Sequence, residues 1–330
     1  MLGFSGVRFH SEAMKNWQEE FNLINLTKLS HSDIDTFEAI SRGDFTKLTH
    51  EVVIDADKYR NLPAWDKAAA RALAVGMTVD KAVVAGQAAA RLWGYQTLGV
   101  EKTVLCLLPG RSRAGSIKQW PLGTRYRNSY LSPRDIREVH GIRVTGAFRT
   151  FLDIALDDGV VAAVVTIDSA RRQNPSLTRE KLMHSAESFP RHRGVKAYRQ
   201  AIELSIPNSD SAQETRARLI LREAKLPEIQ SVKVQARFDQ SHNKYFLVDF
   251  LINEWIIVEI DGRSKYDCPE LNEVLMAERD REKFFLNQGY AVLRIDPKQL
   301  DLNQDGECEF IGILKNTLQK TPPEHLKQAA

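Results

Sequence analysis

The spacing of apolar positions divides the chain into stretches of different period. Up to about residue 56, Ser30-His-Ser-Asp33 can cap a short helix running through Ile40, and Arg42-Gly43-Asp44 makes a turn. Phe45, Leu48, Val52 and Ile54 then mark extended chain. Helix, glycine turn and two-stranded wing together predict a winged-helix-like region over residues 1–56. From Pro63 the period becomes helical. Trp65–Leu73 is alanine-rich, and Asp80–Gly94 carries Ala82, Val83, Ala85, Ala89, Ala90, Leu92 and Trp93 and is read as helix. Val100–Leu108 alternates and then runs apolar, as a buried strand does, and Gly141–Thr145 predicts another strand. Helices are expected over Ala147–Leu156, Val160–Arg171, Thr178–Ser188 and Val195–Leu204. Residues 57–206 therefore read as an α/β middle domain.

Pro207-Asn-Ser-Asp-Ser211 is the clearest linker and cap. It opens an amphipathic helix, Ala212–Ala224, with Leu219, Ile220 and Ala224 inward, stopped by Leu226-Pro227. Three extended segments follow, Val232–Phe238, Tyr245–Ile252 and Trp255–Ile260, the last two joined at Asn253-Glu254. A helix over Glu270–Gln288 ends at Gly289 in the C-cap position, and Ala291–Ile295 predicts a final strand. The order α-β-β-β-α-β over residues 207–300 describes a compact α/β core, and residues 301–330 read as a tail with one short helix.

Composition narrows the class. At 330 residues, with 43% hydrophobic and 27% charged positions, the chain has the make-up of a multidomain globular protein. The longest apolar run, Gly159–Ile167, is far short of the ~20 residues that span a bilayer, so no membrane association is expected. Met1–His10 lacks the apolar core of a secretion signal, and the three cysteines (Cys106, Cys268 and Cys308) have no metal-ligand spacing. Both features point to the cytoplasm. Net charge is only +3, but its distribution is uneven. Residues 108–149 hold nine bases against Asp135 and Glu138, residues 171–199 hold eight against Glu180 and Glu187, and residues 241–330 are acidic. A basic body joined to a carboxylate-rich end suits a polyanion-binding enzyme, though solvated helical faces explain the same charges. Among the histidines, His192 between Arg191 and Arg193 is a candidate phosphate contact.

The candidate chemistry lies in the acidic end. Asp249, in Leu-Val-Asp-Phe, ends or nearly ends one expected strand, and Glu259 and Asp261, in Val-Glu-Ile-Asp-Gly262, share one face of the next. A short turn between the strands makes a hairpin that would bring Asp249 beside Glu259. Carboxylates emerging from a strand as apolar as Ile256-Ile257-Val258 are costly unless paired or bound to metal. Glu214, three residues after Ser211, reads equally as the second half of a capping box and as a member of this cluster. Hard divalent cations, Mg²⁺ or Mn²⁺, suit such oxygen donors, and a cation held there can activate water for phosphodiester hydrolysis.

Asp249 followed by Glu259-Ile-Asp261 resembles the PD-(D/E)XK nuclease signature, with Asp261 where the signature has lysine. The wider string is similar to Vsr-like endonuclease domains: Glu214, Asp249-Phe250, Glu259-Ile-Asp261-Gly262, Arg279-Asp280 and Gly289-Tyr290-Ala-Val292-Leu-Arg294 recur in order. The resemblance implies a restriction-endonuclease-like α/β core with Mg²⁺- or Mn²⁺-dependent DNA cleavage. In it Asp249, Glu259 and Asp261 would hold the metal and Glu214 would assist. Lys265 would contact the scissile phosphate, and Arg279 and Lys283 would meet DNA. Upstream, Arg91-Leu-Trp93-Gly94, Pro109-Gly110-Arg111, Gly141-Ile-Arg-Val-Thr145 and Arg149-Thr150-Phe151-Leu152-Asp153 resemble proteins with an AbiEi-type antitoxin winged helix. That likeness implies DNA binding, with Arg111 and Arg113 as phosphate contacts, in repair, in defence against phage or mobile elements, or in repression. The alternative to a nuclease is a DNA-binding regulator or antitoxin whose nuclease fold is degenerate.

Overall fold

A computed structural model of the chain describes residues 20–110, 112–239, 245–261 and 271–322, and for 271–278 the backbone alone. The fold is mixed α/β, with eleven α-helices and three sheets among the described residues. None of these helices is long and apolar enough to cross a membrane. The chain divides into two compact units, Met1–Ser205 and Ile206–Ala330.

The first unit begins with β1 (Ile24–Asn25), α1 (Ile34–Arg42), β2 (Phe45–Lys47) and β3 (Val52–Asp55), the strands pairing antiparallel in the order β1-β3-β2. Helix α1 stops at Gly43, whose φ of 89° lets its N–H turn back to the Ala39 and Ile40 carbonyls. Next come α2 (Ala56–Asn61), α3 (Ala64–Thr78), β4 (Val83–Val84), α4 (Gly86–Leu92) and β5 (Val104–Leu107). Then β6 (Thr124–Tyr126), β7 (Ile136–Val139) and β8 (Ile142–Thr145) complete a five-stranded sheet of order β6-β5-β4-β8-β7. Four helices follow: α5 (Ala147–Asp157), α6 (Gly159–Gln173), α7 (Arg179–Glu187) and α8 (Val195–Leu204).

Phe21, Leu48, Val52 and Ile54 share one buried core with Leu73, Val84, Cys106 and Val144, so a single hydrophobic interior spans both sides of position 56. One expectation is corrected here. The stretch Asp80–Gly94 is not helical throughout, because Val83 and Val84 form the strand that joins β5 to β8, and the helix begins only at Gly86. A short buried strand and a helix segment have the same apolar run, and tertiary pairing decides between them. Close approach also has a residue-level cause: a Cβ on Gly76 of α3 would lie 2.2 Å from Ile142 Cγ2 of β8.

The second unit contains α9 (Ala212–Ala224), β9 (Val232–Asp239), β10 (Tyr245–Ile252), β11 (Ile256–Ile260), α10 (Leu271–Asn287), β12 (Ala291–Ile295) and α11 (Glu309–Leu318). The sheet order is β12-β11-β10-β9, antiparallel except for the parallel pair β11 and β12. Asn253 and Glu254 turn the β10–β11 hairpin with φ of 50° and 61°, the left-handed pair that matches strand twist. On one side of the sheet, Ala217 and Leu221 of α9 and Phe310 and Leu314 of α11 pack on Phe250, Ile252, Ile256 and Val258. On the other, Phe285 of α10 packs on Ala236, Val248, Leu251 and Ile257. The buried residues of α9 are Glu214, Thr215, Ala217, Leu219 and Leu221, so its inward face is turned from the expected Leu219, Ile220 and Ala224.

Side chains on a regular strand alternate between faces. Yet Val234 packs on the α9 side while Ala236 and Phe238 pack on the α10 side. Likewise Val248 lies on the α10 side and Phe250 on the α9 side. The pleat of β9 and β10 therefore reverses between these residues. In β9 the reversal coincides with Gln235, whose φ is 52°.

Candidate active site: a carboxylate cluster on the second sheet

Asp249 lies within β10 rather than at its end, three residues before the strand stops. Its Oδ2 accepts a 2.8 Å hydrogen bond from the Ile260 N–H of β11, and Gln235 Nε2 lies 3.5 Å from its Oδ1. The same Gln235 amide donates to Glu214 Oε2 at 2.8 Å, so one side chain bridges two carboxylates. Glu214 occupies the first turn of α9, with its N–H on Ser211 Oγ at 3.1 Å. Its carboxylate also accepts from the Asp210 N–H at 2.9 Å. Glu214 is 7% exposed. Ser211 caps the helix through the Glu214 N–H, but the Glu214 carboxylate accepts from Asp210 and Gln235 rather than from the Ser211 N–H, so it belongs to the cluster and does not close a capping box.

Two arginines meet the remaining carboxylates. The Arg281 guanidinium, from α10, donates to Glu259 Oε1 and to the Leu247 carbonyl, and lies 5.8 Å over the Phe246 ring. Arg294, opposite Glu259 in the β11–β12 register, comes within 4.0 Å of Glu259 Oε2 and 3.7 Å of Asp261 Oδ1. Asp261 follows the end of β11 and keeps 43% of its side-chain surface exposed.

Burial and the neighbouring Glu214 charge push the Asp249 carboxyl up to about 7; Glu259 adds to the rise, while the Ile260 N–H and Arg281 oppose it. Burial also raises Glu214, against the hydrogen bonds it accepts. A pair like this, bridged by a neutral amide, either keeps a proton near neutrality or takes up positive charge. No group of three His, Cys, Asp or Glu side chains among the described residues is placed to hold a metal ion. Mg²⁺ commonly uses only one or two carboxylates, with waters and substrate phosphate filling its other positions. The hard oxygen donors of Asp249 and Glu259 fit that smaller requirement, with Arg281 displaced from Glu259.

The residues expected from the sequence fall into three groups. Glu214, Asp249, Glu259 and Asp261 are gathered on the second unit's sheet. Arg279 and Lys283 are exposed on α10, and Arg113 is exposed in the first unit. Lys265 and Arg111 lie outside the described residues. Sequence reasoning missed Gln235 and Arg281 altogether, and it noted Arg294 only as part of a motif. Nothing in residue type announces a left-handed glutamine, whereas Arg281 lies only two positions past Arg279.

The basic character of residues 108–149 is partly internal. Arg149, 2% exposed, pairs with Asp153 at 3.1 Å. Arg127 pairs with Asp153 and, at 2.7 Å, with Asp157, which Arg125 also meets at 3.2 Å. Arg91 pairs with Glu101 at 3.0 Å, and Trp93 Nε1 donates to the Thr145 carbonyl at 2.9 Å. These motif residues hold the first unit together. Arg113, Lys118, Arg134 and Arg137 remain exposed. His192 places Nε2 3.2 Å from Ser129 Oγ, and burial keeps its imidazole below the usual range. No protein-family model, no curated protein and no solved structure matches the chain.

Proposed function

We propose that the second unit is a divalent-metal-dependent DNA endonuclease, with Asp249 and Glu259 holding Mg²⁺ or Mn²⁺. Asp261 stands at the open end of the strand, and Glu214 stands behind Asp249. The observation that carries this reading is the burial of Asp249 beside Glu214, which leaves carboxylate charge that a cation would compensate. A bound cation supplies a more acidic water and stabilises charge growing on phosphate. Gln235 bridges Glu214 and Asp249, while Arg281 and Arg294 are the positive groups beside Glu259. Lys265, close along the chain, is a further candidate phosphate contact, and Arg279, Lys283, Arg111 and Arg113 are candidate DNA contacts. The order of elements and the sequence resemblance support the restriction-endonuclease-like, Vsr-like assignment, as the small sheet and helix of residues 24–55 support a winged-helix-like start.

Purified protein incubated with supercoiled plasmid, mismatched duplex and single strands tests this directly. Cleavage should need Mg²⁺ or Mn²⁺, stop with chelator and be lost in Asp249→Asn. A cation-dependent rise in melting temperature should accompany it. If that rise survives in the double variant Asp249→Asn, Glu259→Gln, this site is not the metal site.

A second reading, a DNA-binding regulator with a relic nuclease fold, is favoured by two observations: Arg281 already pairs with Glu259, and Asp261 stands in the lysine position. It expects DNA binding with no cleavage under any divalent cation. In either reading, loss of both Arg111 and Arg113 should weaken binding to all sequences alike and reduce the salt slope by about one unit per lost contact.

A further inference from the structure

We propose that Gln235 is a positioning residue of the carboxylate site, its left-handed backbone delivering the side-chain amide between Glu214 and Asp249 so that Asp249 is oriented for a divalent cation. This rests on the metal-dependent reading above and adds to it a residue that no sequence signature includes.

Four observations converge on Gln235. It is the one residue inside a described β-strand with a positive φ, 52°, where a side chain with a Cβ is strained. The other non-glycine residues of this kind, among them Lys225, Asn253 and Glu254, sit in turns or at a helix end. Second, the ladder between β9 and β10 runs in unbroken register on both sides, Val248 with Ala236 and Phe250 with Val234, and skips only the Gln235–Asp249 position. The irregularity is thus confined to the pair that carries the chemistry. Third, the side-switch of both strands occurs there, with Val234 and Phe250 on the α9 side and Ala236 and Val248 on the α10 side. Fourth, the amide so placed spends its donor on Glu214 Oε2 at 2.8 Å and stands 3.5 Å from Asp249 Oδ1.

Strained residues persist where the surroundings over-determine them, and strain of this kind gathers at functional sites. A glutamine amide suits the task. It donates to both carboxylates without adding charge, and so leaves the site's demand for a cation intact. An arginine or lysine at 235 would meet that demand permanently. Asp249 is then clamped between the Ile260 N–H on Oδ2 and Gln235 near Oδ1. Partners behind a metal ligand typically set its orientation and are worth 10–100-fold in metal affinity.

The test uses the full chain with Mn²⁺ as probe, measuring affinity by isothermal titration and stability by thermal melting. The variants are Gln235→Ala, Gln235→Gly and Gln235→Glu. Alanine and glycine both remove the amide, but only glycine relaxes the backbone. The Gly variant should therefore melt roughly 2–4 °C above the Ala variant. If Gln235 positions Asp249, Mn²⁺ binding weakens by about tenfold or more in both variants alike, despite their different stabilities. Gln235→Glu puts a third carboxyl where the neutral amide stood, so it does not reproduce the wild-type Mn²⁺ affinity. Wild-type affinity in the Gly variant, or affinity that recovers in step with melting temperature, overturns the proposal and leaves Gln235 a structural residue. Absence of Mn²⁺ binding by the wild-type chain is a different outcome: it overturns the metal-dependent reading itself, and this proposal with it.

Discussion

Asp249 carries an opposition between stability and readiness to bind charge. Its carboxyl is raised from 3.8 to about 7, so the folded chain holds a proton that the unfolded chain has released across that interval. Stability contributed by this residue is therefore full below about pH 4 and is lost as pH rises to 7. Asparagine removes the cost of ionisation. Asp249→Asn should melt above the wild-type protein at pH 8 without divalent metal, and the difference should shrink toward pH 4. Equal melting profiles at the two pH values would show that the cluster does not strain the folded state. A second residue, Asp153, is fully buried between Arg149 and Arg127. Asp153→Ala leaves both guanidiniums without their shared carboxylate and should cost about 3–5 kcal/mol in denaturant unfolding of the first unit. Charge counting left these arginines in a basic stretch open to two readings, polyanion binding or solvated faces, because it sees no partner four or more residues away. The structure assigns them to the interior.

At the scale of elements, long periodic segments were legible and short paired ones were not. Helices Val195–Leu204 and Ala212–Ala224 and strand Ala291–Ile295 lie where the spacing of apolar residues puts them. Strands β6 and β7 escaped notice because each is only three or four residues long and alternates weakly, and β4 was absorbed into a helix. Of the candidate site, Asp249, Glu259 and Asp261 were legible because acids in or just after apolar strands stand out against their neighbours, and Glu214 because it follows the capping Ser211 at helix spacing. Gln235 and Arg281 were not, since their roles arise from a backbone angle and from helix placement. Two element contacts give direct tests. Gly76→Ala would press α3 off Ile142 and should destabilise the first unit by about 1–3 kcal/mol. Phe310→Ala empties the seat of α11 in the second core and should cost about 3–5 kcal/mol, which would show that a segment read as a tail is part of the domain.

For the molecule as a whole, the division at Ser205 and Ile206 separates two interiors, one built on the five-stranded sheet and one on the four-stranded sheet. Each unit expressed alone should unfold cooperatively, because each buries its own core. The segment 206–330 alone should keep any Mn²⁺-dependent rise in melting temperature, and the segment 1–205 should show none. Retention of that rise by the first segment alone would move the metal site away from the carboxylates described.

The parallel pairing of β12 has a consequence for the order in which this sheet assembles and opens. Strands β9, β10 and β11 follow one another through short connections, whereas β12 reaches β11 only after the crossover through α10. Closing that longer loop costs more entropy, so β12 should dock late in folding and detach early. Arg294 leaves with it, and Glu259 and Asp261 then lose a neighbouring cation before the meander itself comes apart. Native-state hydrogen exchange would register this as faster exchange at Val292, Leu293 and Arg294 than along Phe250–Ile252.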